Sequence, residues 1–331
     1  MIVGIKGLRY EVDNLDVAVN FSSDLGLRLQ NHNPECALFT LPDGGFVEYR
    51  PLGDPALPRG AIEGPGVHEV IWGVDCEEAL DILLNDLARD HSINSDEQGV
   101  HHFVPSFGIP MALTRWQRNV PTACPDPENA PGKVNRLNRN RKWFKRAYPR
   151  TITHAVFRSP EYQAPPVFMI ERLGFRLSDV QCGIAAYVRA DGRGDHHNFA
   201  VLNANGPLPN CDGKTRFDHS NFCVEDIDEL MVGANYLARR GWGVSPIGVG
   251  RHRADSALFY YLPSPLGGDI EYGADGDLFD DRWIPRRFHI PLFAYASWVH
   301  NIPEFFREEP AWEFTFLDDA DLNNPEILML G

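Results

Sequence analysis

Three side chains in the C-terminal half of the chain, His154, His219 and Glu271, are of the types that together bind a redox-active metal ion. Each lies in a short stretch that alternates apolar and polar residues, which predicts a β-strand. Two neutral imidazoles and one carboxylate form the three-ligand face of a non-haem Fe(II) site, whose opposite face stays open to other ligands. The residue types therefore predict a mononuclear metal centre.

A structural role is the alternative for each of these residues taken singly. A histidine that alternates with apolar neighbours is more often part of the core than a ligand, and Glu271 could be a buried acid with an ion-pair partner. At equivalent places in adjacent repeats, however, the three side chains would converge on one cavity. A carboxylate buried there without a partner would be costly, and a divalent cation removes that cost. The set as a whole favours metal ligands.

Composition restricts the class of protein. The chain has 331 residues, 43% hydrophobic and 23% charged, which is typical of a globular protein long enough for two domains. The formal net charge of −15 argues against a nucleic-acid binder, and no stretch approaches the roughly 20 apolar residues of a membrane span. The N-terminus does not read as a signal peptide, and the six cysteines form no CxxC pair. We therefore expect reduced thiols in a cytoplasmic protein.

Weak internal repeats divide the chain into four similar units. In each, a strand is followed by a helix and then by several strands; for example, the stretch from Leu41 to Tyr49 resembles that from Pro265 to Tyr272. Four unrelated hairpins that look alike by chance are the alternative, but the order of the signals recurs each time. The units span approximately residues 1–60, 66–118, 151–206 and 216–275.

The repeats also predict a division into domains. The predicted segments are an N-terminal domain (1–118), a basic linker (119–150), a C-terminal catalytic domain (151–280) and an aromatic tail (281–331). The linker carries basic residues and no acid from Lys133 to Arg150. It could bind an anion or nucleic acid, but docking on the acidic body of the same protein or of a neighbouring subunit is the favoured interpretation. The tail is too aromatic to remain in water, so we expect it to pack over the C-terminal domain or a subunit interface and predict a homo-oligomer.

The local sequences around the candidate ligands resemble those of the vicinal-oxygen-chelate superfamily, and specifically its type I extradiol ring-cleaving dioxygenases. The signature of that family has a His, an Asp three residues later, a Tyr six further on and the ligand Glu ten after that. His252, Asp255, Tyr261 and Glu271 have this spacing. The run His197-Asn-Phe-Ala resembles the family's His-x-x-Ala strand, and the histidine before it does not fit the same register.

The resemblance implies an α+β fold of four βαβββ modules. These would pair into two domains, each a U-shaped mixed sheet around a cavity. At the position equivalent to His154, the first module has Leu8 or Arg9. At the position equivalent to Glu271, the second module has an apolar stretch that begins at Met111. The resemblance therefore implies that only the C-terminal domain binds metal.

The resemblance also implies an activity, the Fe(II)-dependent extradiol cleavage of a substituted catechol by dioxygen to a muconic semialdehyde-type product. Manganese is also compatible with this ligand set. His197 would act as acid and base, His252 and Tyr261 would hydrogen bond the bound substrate and oxygen, and Asp255 would orient His252. The two arginines that flank His252 could meet a substrate carboxylate, although solvent or the acidic surface is favoured for both.

Two other functions stay open from the sequence. The first is a different activity of the same superfamily, either a glyoxalase-like isomerase or an oxygenase of 2-oxo acids, which would not call for His197, His252 and Tyr261 together. The second is a metal-free ligand-binding module, which would not call for a complete set of ligands. Metal content and oxygen uptake with catechols separate these functions.

Overall fold

A unit of one strand, one helix and three strands recurs along the described part of the chain. The structure is a computed structural model that describes residues 1–318 and Asp321. The N-terminal modules are β1 (Ile2–Val12), α1 (Leu15–Leu25), β2 (Arg28–His32), β3 (Ala37–Thr40), β4 (Phe46–Pro51), and β5 (Gly66–Val74), α2 (Glu77–Leu87), β6 (Asn94–Ser95), β7 (Val100–Phe103), β8 (Met111–Arg115). The C-terminal modules are β9 (Thr151–Ser159), α3 (Ala164–Leu173), β10 (Arg176–Gln181), β11 (Ala185–Arg189), β12 (Phe199–Asn203), and β13 (Arg216–Cys223), α4 (Ile227–Arg239), β14 (Gly250–Arg251), β15 (Leu258–Pro263), β16 (Asp269–Ala274). The predicted α+β fold of four βαβββ modules is confirmed.

The modules pair through their first strands. β1 lies antiparallel to β5, and β9 lies antiparallel to β13. Each first strand also lies parallel to the last strand of its own module. Within the described residues this produces two mixed sheets, of 8 and 11 strands, each with the first strands of two modules at its centre.

Local signals in the sequence explain where the helices begin. The Asn14 side chain accepts a hydrogen bond from the backbone N–H of Val17 at the start of α1, and Asp226 caps α4 through the N–H of Glu229. Acidic residues occupy the first turn of α2 and of α4, where the positive end of the helix dipole stabilises them. The strand-to-acidic-helix pattern of the repeats therefore predicts both helices correctly. None of the helices in residues 1–318 combines the length and the apolar character needed to cross a membrane.

The two sheets pack closely against each other. A single buried cluster contains residues of both halves, and the Tyr10 hydroxyl on β1 lies 2.7 Å from the Ser220 hydroxyl on β13. The Tyr272 hydroxyl donates to the backbone carbonyl of Leu25 across the same boundary. The division into domains at 1–118 and 151–280 stays a proposal, because the hydrophobic core does not end at that boundary and the C-terminal sheet includes strands after residue 280.

The basic segment 119–150 lies against the body of the same chain. It contains no regular helix or strand, and its arginines and lysines reach the acidic first turn of α4. The Arg150 guanidinium pairs with Glu229 at 2.6 Å, and Lys142 pairs with Glu225. The segment makes the contacts expected of a linker that docks on an acidic surface.

The segment after residue 280 extends the C-terminal sheet at both ends. Its elements are β17 (Arg286–Phe288), α5 (Pro291–Tyr295), β18 (Trp298–Val299), a 3₁₀ helix (Glu304–Phe306) and β19 (Thr315–Phe316). β17 lies parallel to β10, and β18 lies antiparallel to β14. Phe288 and Phe293 are buried, whereas Trp312 is 73% exposed and Phe316 is 61% exposed in the isolated chain. The remainder of the predicted tail, apart from Asp321, lies outside the described residues.

The N-terminal sheet holds an ion-pair network at the level where the C-terminal sheet has its candidate ligands. Arg9, on the strand equivalent to that of His154, places its Nε 2.9 Å from Glu48 and its Nη1 2.9 Å from Glu69. The Glu69 carboxylate also lies 2.7 Å from Nδ1 of His102. A guanidinium therefore neutralises the buried acids of the N-terminal sheet.

We predict that Arg9→Met destabilises the fold, because it removes the guanidinium that pairs with the buried carboxylate of Glu69 and one of the two that pair with Glu48. Loss of one partner of a buried ion pair costs about 3–5 kcal/mol. Urea unfolding of the full chain measures the change in free energy. Arg89→Met is the matched control, because Arg89 pairs with Asp86 on the surface and such pairs contribute about 0–1 kcal/mol. Equal losses in the two variants would contradict the prediction.

Candidate metal centre

His154, His219 and Glu271 come from three adjacent strands, β9, β13 and β16. The strand register explains why the side chains share a face. His219 lies opposite Val156, two residues from His154, and Glu271 lies opposite Asn221, two residues from His219. Because side chains two residues apart point to the same side of a strand, all three are diagonal neighbours on one face.

The three ligand atoms form a small triangle. Nε2 of His154 lies 2.9 Å from Oε2 of Glu271 and 3.2 Å from Nε2 of His219, and the third side measures 3.6 Å. Ligand atoms about 2.1 Å from one ion are about 3.0 Å apart at a 90° angle and about 3.4 Å apart at a tetrahedral angle. The observed spacing therefore fits one divalent ion held by three protein ligands.

The protonation states also suit metal binding. Burial lowers the pKa of His154, so its imidazole is neutral. Burial alone would raise the pKa of Glu271, but the hydrogen bonds from His154 and His252 outweigh it and hold this pKa well below its usual range. Neutral imidazole and ionised carboxylate are the forms in which these side chains bind metals.

Asp218 orients the second histidine, and the sequence analysis missed it. Its carboxylate accepts a hydrogen bond from Nδ1 of His219 at 2.5 Å and also pairs with Arg158. Because Asp218 only accepts, Nδ1 of His219 carries the hydrogen and Nε2 keeps its lone pair for the ion. Neighbouring residues on a regular strand point to opposite sides, but β13 has an irregularity between Phe217 and His219 that brings the two side chains together.

The predicted acid–base residue lies directly against a ligand. The His197 ring stacks on that of His154 with centroids 4.0 Å apart and an angle of 19°. Burial lowers the pKa of His197 well below its usual value, and the surrounding histidines lower it further. The ring is therefore neutral in the resting protein and can accept a proton.

His252 and Tyr261 lie on the other side of the ligand triangle. Nε2 of His252 is 3.7 Å from Oε1 of Glu271 and 3.4 Å from the Tyr261 hydroxyl. The backbone carbonyl of Tyr295, on α5, accepts from Nδ1 of His252 at 2.5 Å. Burial opposes the charged form of His252, but the hydrogen bond to Glu271 and the nearby Asp255 raise its pKa. Both side chains can therefore donate hydrogen bonds toward the centre.

The expected contact between Asp255 and His252 is not a hydrogen bond within the described residues. The Asp255 carboxylate instead accepts from the backbone N–H of Ala257, because Ser256 turns the chain with a φ of 57°. Potential ligand atoms of Asp255, His196 and His197 lie within 4.8 Å of one another. Asp255 therefore influences His252 through its charge rather than through direct contact.

The two arginines that flank His252 face away from the ligands. Arg251 pairs with Asp275 at 2.9 Å on the surface. Arg253 donates to the backbone carbonyl of Phe293 and lies over the rings of Phe293 and Trp312. The interpretation favoured from the sequence, that both face solvent or the acidic surface, agrees with the contacts of Arg251 but not with those of Arg253, which packs on aromatic rings.

The sequence also gave no signal for several residues around His197. His196, which the register argument set aside, is buried and bonded to both His197 and Asp179. Asp179 on β10 is in turn held by Arg286 of β17. Asp179 and Arg286 are 107 residues apart in the sequence, and they meet because β17 pairs with β10 in the folded protein.

Comparison with known proteins agrees with this geometry, although no protein-family model matches the chain. Metapyrocatechase 2 of Cupriavidus necator is 28% identical over 218 residues, which are 64% of this chain and 63% of the relative. An iron-dependent extradiol dioxygenase of Rhodococcus jostii (strain RHA1) is 30% identical over 163 residues, 45% of this chain and 50% of the relative. The matches thus span less than two thirds of these relatives.

Solved structures match over nearly the whole chain. The Mn(II)-bound glyoxalase from Novosphingobium aromaticivorans has a TM-score of 0.69 and 20% identity, covering 94% of this chain and 95% of its own. A halotolerant catechol dioxygenase has a TM-score of 0.68 and 21% identity, covering 91% and 95%. This chain is similar in sequence to extradiol dioxygenases over part of its length and has the vicinal-oxygen-chelate fold of these solved structures. The side chains of His154, His219 and Glu271 are buried and close enough together to hold one metal ion.

We predict that Asp218→Asn weakens binding of a divalent cation by about 10–100-fold, because the amide no longer fixes the tautomer and orientation of His219. Competition with a chelator measures the affinity of the metal-free protein for Fe(II) and Mn(II). The matched control is Asp212→Asn, which breaks the exposed ion pair between Asp212 and Arg216. Unchanged affinity in Asp218→Asn would exclude the orienting role.

Proposed function

We propose that this protein is an Fe(II)-dependent extradiol dioxygenase that cleaves a substituted catechol with dioxygen in the catabolism of aromatic compounds. The observation that supports this most strongly is the convergence of His197, His252 and Tyr261 on a buried His–His–Glu group. The names of the two sequence relatives agree with this activity. Both atoms of dioxygen would enter the ring-opened product.

His154, His219 and Glu271 would hold the ion. Three ligands on one face leave the remaining positions for two vicinal catechol oxygens and for dioxygen, which a bound Fe(II) would bring together and activate. An iron-dependent relative supports iron, and a Mn(II)-bound structural neighbour makes manganese the alternative for the same ligands.

His197 would handle the substrate proton. Its ring is neutral in the resting protein and lies against a ligand ring, so it is placed to take a proton from a catechol hydroxyl and later to return it. General acid–base assistance of this kind contributes about 10²–10⁴ in rate. His252 and Tyr261, from the opposite side, would donate hydrogen bonds to bound oxygen atoms.

Aromatic rings surround the proposed donors and the proposed proton acceptor. The rings of Phe259 and Tyr295 pack around His252, and the Tyr187 ring lies 5.0 Å from that of His197. Burial raises the pKa of Tyr261 well above its usual value, so its hydroxyl stays protonated as a donor. An environment that is dry apart from a few donors strengthens each hydrogen bond to a developing negative charge.

A glyoxalase-like isomerase is the second candidate, since a glyoxalase is among the structural neighbours. An oxygenase of 2-oxo acids and a metal-free binding module are the remaining alternatives. An isomerase would consume no oxygen, and a binding module would need no metal. The proton acceptor His197 and the two donors His252 and Tyr261 around the His–His–Glu group favour the dioxygenase.

Oxygen consumption tests the proposal. Protein reconstituted anaerobically with Fe(II) should consume one dioxygen per catechol with a panel of substituted catechols and form a yellow product. His154→Ala should abolish uptake and lower the iron content, because it removes one of three ligands. His101→Ala, an exposed histidine of the N-terminal sheet bonded to Ser95, should leave both unchanged. Bound iron without uptake for any catechol would refute the proposed function and favour the isomerase.

We also propose that the protein is a cytoplasmic homo-oligomer. The cytoplasmic location rests on the cysteine pattern, and all six cysteines are unpaired. The oligomer rests on the exposed aromatic residues Trp312 and Phe316 of the C-terminal segment. Light scattering on the purified protein should give a multiple of 37.3 kDa. The double variant Trp312→Ser, Phe316→Ser should shift the mass toward one chain, and a monomeric wild-type protein would refute this part of the proposal.

A further inference from the structure

A chain of hydrogen bonds lies behind His197, on the side away from the metal ligands. Nδ1 of His197 is 3.1 Å from Nδ1 of His196, and Nε2 of His196 is 2.8 Å from Oδ2 of Asp179. His196 is 4% exposed and Asp179 is 1% exposed. Two imidazoles and a carboxylate are thus buried together next to the centre.

Arg286 holds the far end of this chain of hydrogen bonds. Its backbone N–H and its Nε donate to Oδ1 of Asp179 at 2.9 and 3.0 Å, and its Nη2 donates to Oδ2 at 2.6 Å. The register of β10 and β17 pairs the two residues directly, and the guanidinium lies over the ring of Trp283. A carboxylate held by two arms of a guanidinium has a fixed orientation and a neutralised charge.

These contacts determine which atoms donate. An ionised carboxylate only accepts, so Nε2 of His196 must carry a hydrogen. The carboxylate of Asp179 is already paired with Arg286. A His196 ring that carries only this one hydrogen has an acceptor at Nδ1. Nδ1 of His197 must then be the donor.

We propose that Arg286, Asp179 and His196 are positioning residues that fix the tautomer of His197 and leave the lone pair on its Nε2. No hydrogen bond to Nε2 of His197 exists among the described residues, so this nitrogen is free for a ligand. This proposal adds to the proposed function, and the identification of that ligand as a catechol rests on the proposed function.

The tautomer determines what His197 can do. In the proposed form, the O–H bond of a bound catechol breaks, a new N–H bond forms at Nε2, and the electron pair stays on the catechol oxygen. The Nδ1–H of His197 remains bonded to His196, so the ring keeps its position through the transfer. In the opposite tautomer Nε2 already carries a hydrogen and cannot accept the proton.

Asp179→Asn should invert the whole chain of hydrogen bonds. Two donors of Arg286 hold the amide oxygen at the position of Oδ1, whereas one donor, Nη2, loses its acceptor at the position of Oδ2. The NH2 group therefore faces Nε2 of His196. That nitrogen must then accept, Nδ1 of His196 must donate, and the hydrogen of His197 moves to Nε2. The side chain keeps its size and shape, so the change is one of hydrogen bonding.

Nitrogen-15 NMR of the full-length metal-free protein, labelled at histidine, reads the tautomer without any activity. In the wild-type protein His197 should show a protonated Nδ1 and a bare Nε2, with its signals assigned by their loss in His197→Gln. In Asp179→Asn the two should exchange. A protonated Nε2 in the wild-type protein, or no exchange in the variant, would overturn the proposal whatever the protein catalyses.

Kinetics with iron-loaded protein provide the second arm. His196→Leu and Asp179→Asn should lower kcat by no more than the about 10²–10⁴-fold that a positioned base supplies, with KM and iron content unchanged. His196→Asn, whose amide oxygen can accept from Nδ1 of His197, should recover most of the loss. Asp191→Asn is the matched control, because it breaks a separate ion pair, the one between Asp191 and Arg176.

The two arms separate the possible failures. If the wild-type protein consumes no oxygen with any catechol but shows the expected tautomer, the proposed function fails and the positioning role stands. If oxygen uptake is normal and His196→Leu keeps the wild-type kcat, the positioning role fails and the proposed function stands.

Discussion

The burial of Glu271 is the constraint on which the rest of this structure depends. Its carboxylate is 1% exposed at the centre of an 11-stranded sheet, with two imidazole nitrogens within 3.6 Å. A buried charge without compensation is among the most destabilising features that a fold can contain. The surrounding residues direct ring nitrogens to the same point, as His219 does, or lie within ion-pair distance of the carboxylate, as His252 does at 3.7 Å. The arrangement is consistent with a divalent ion and difficult to explain as a packing feature.

The N-terminal sheet meets the same constraint differently. It repeats the βαβββ modules and also buries carboxylates, those of Glu48 and Glu69, but the guanidinium of Arg9 lies between them. The guanidinium supplies the positive charge that these carboxylates require. The Tyr10 hydroxyl, one residue along, reaches Ser220, next to His219. The N-terminal half thus supports the strand that carries a candidate ligand.

The C-terminal segment completes the surroundings of the centre from outside the repeats. Its α5 provides the carbonyl of Tyr295 that fixes His252, and its β17 provides Arg286, which holds Asp179 behind His197. The residues proposed to donate and to accept protons are therefore both oriented by a segment that follows the last module. This aromatic segment, which lacks the repeat pattern, pairs with both ends of the sheet and orients side chains near the candidate ligands.

The sequence by itself indicated the modules and the three candidate ligands, because strand alternation and spacing along the chain are local properties. Its resemblance to extradiol dioxygenases added the candidates His197, His252 and Tyr261. The tertiary structure alone decided the partners of these residues. Asp218 reaches His219 only because β13 departs from regular pleating, and Ser256 turns Asp255 away from a hydrogen bond to His252. Arg286 meets Asp179 only because two strands 107 residues apart lie side by side. Such contacts depend on long-range strand pairing and on local irregularities, neither of which leaves a periodic signal in the sequence.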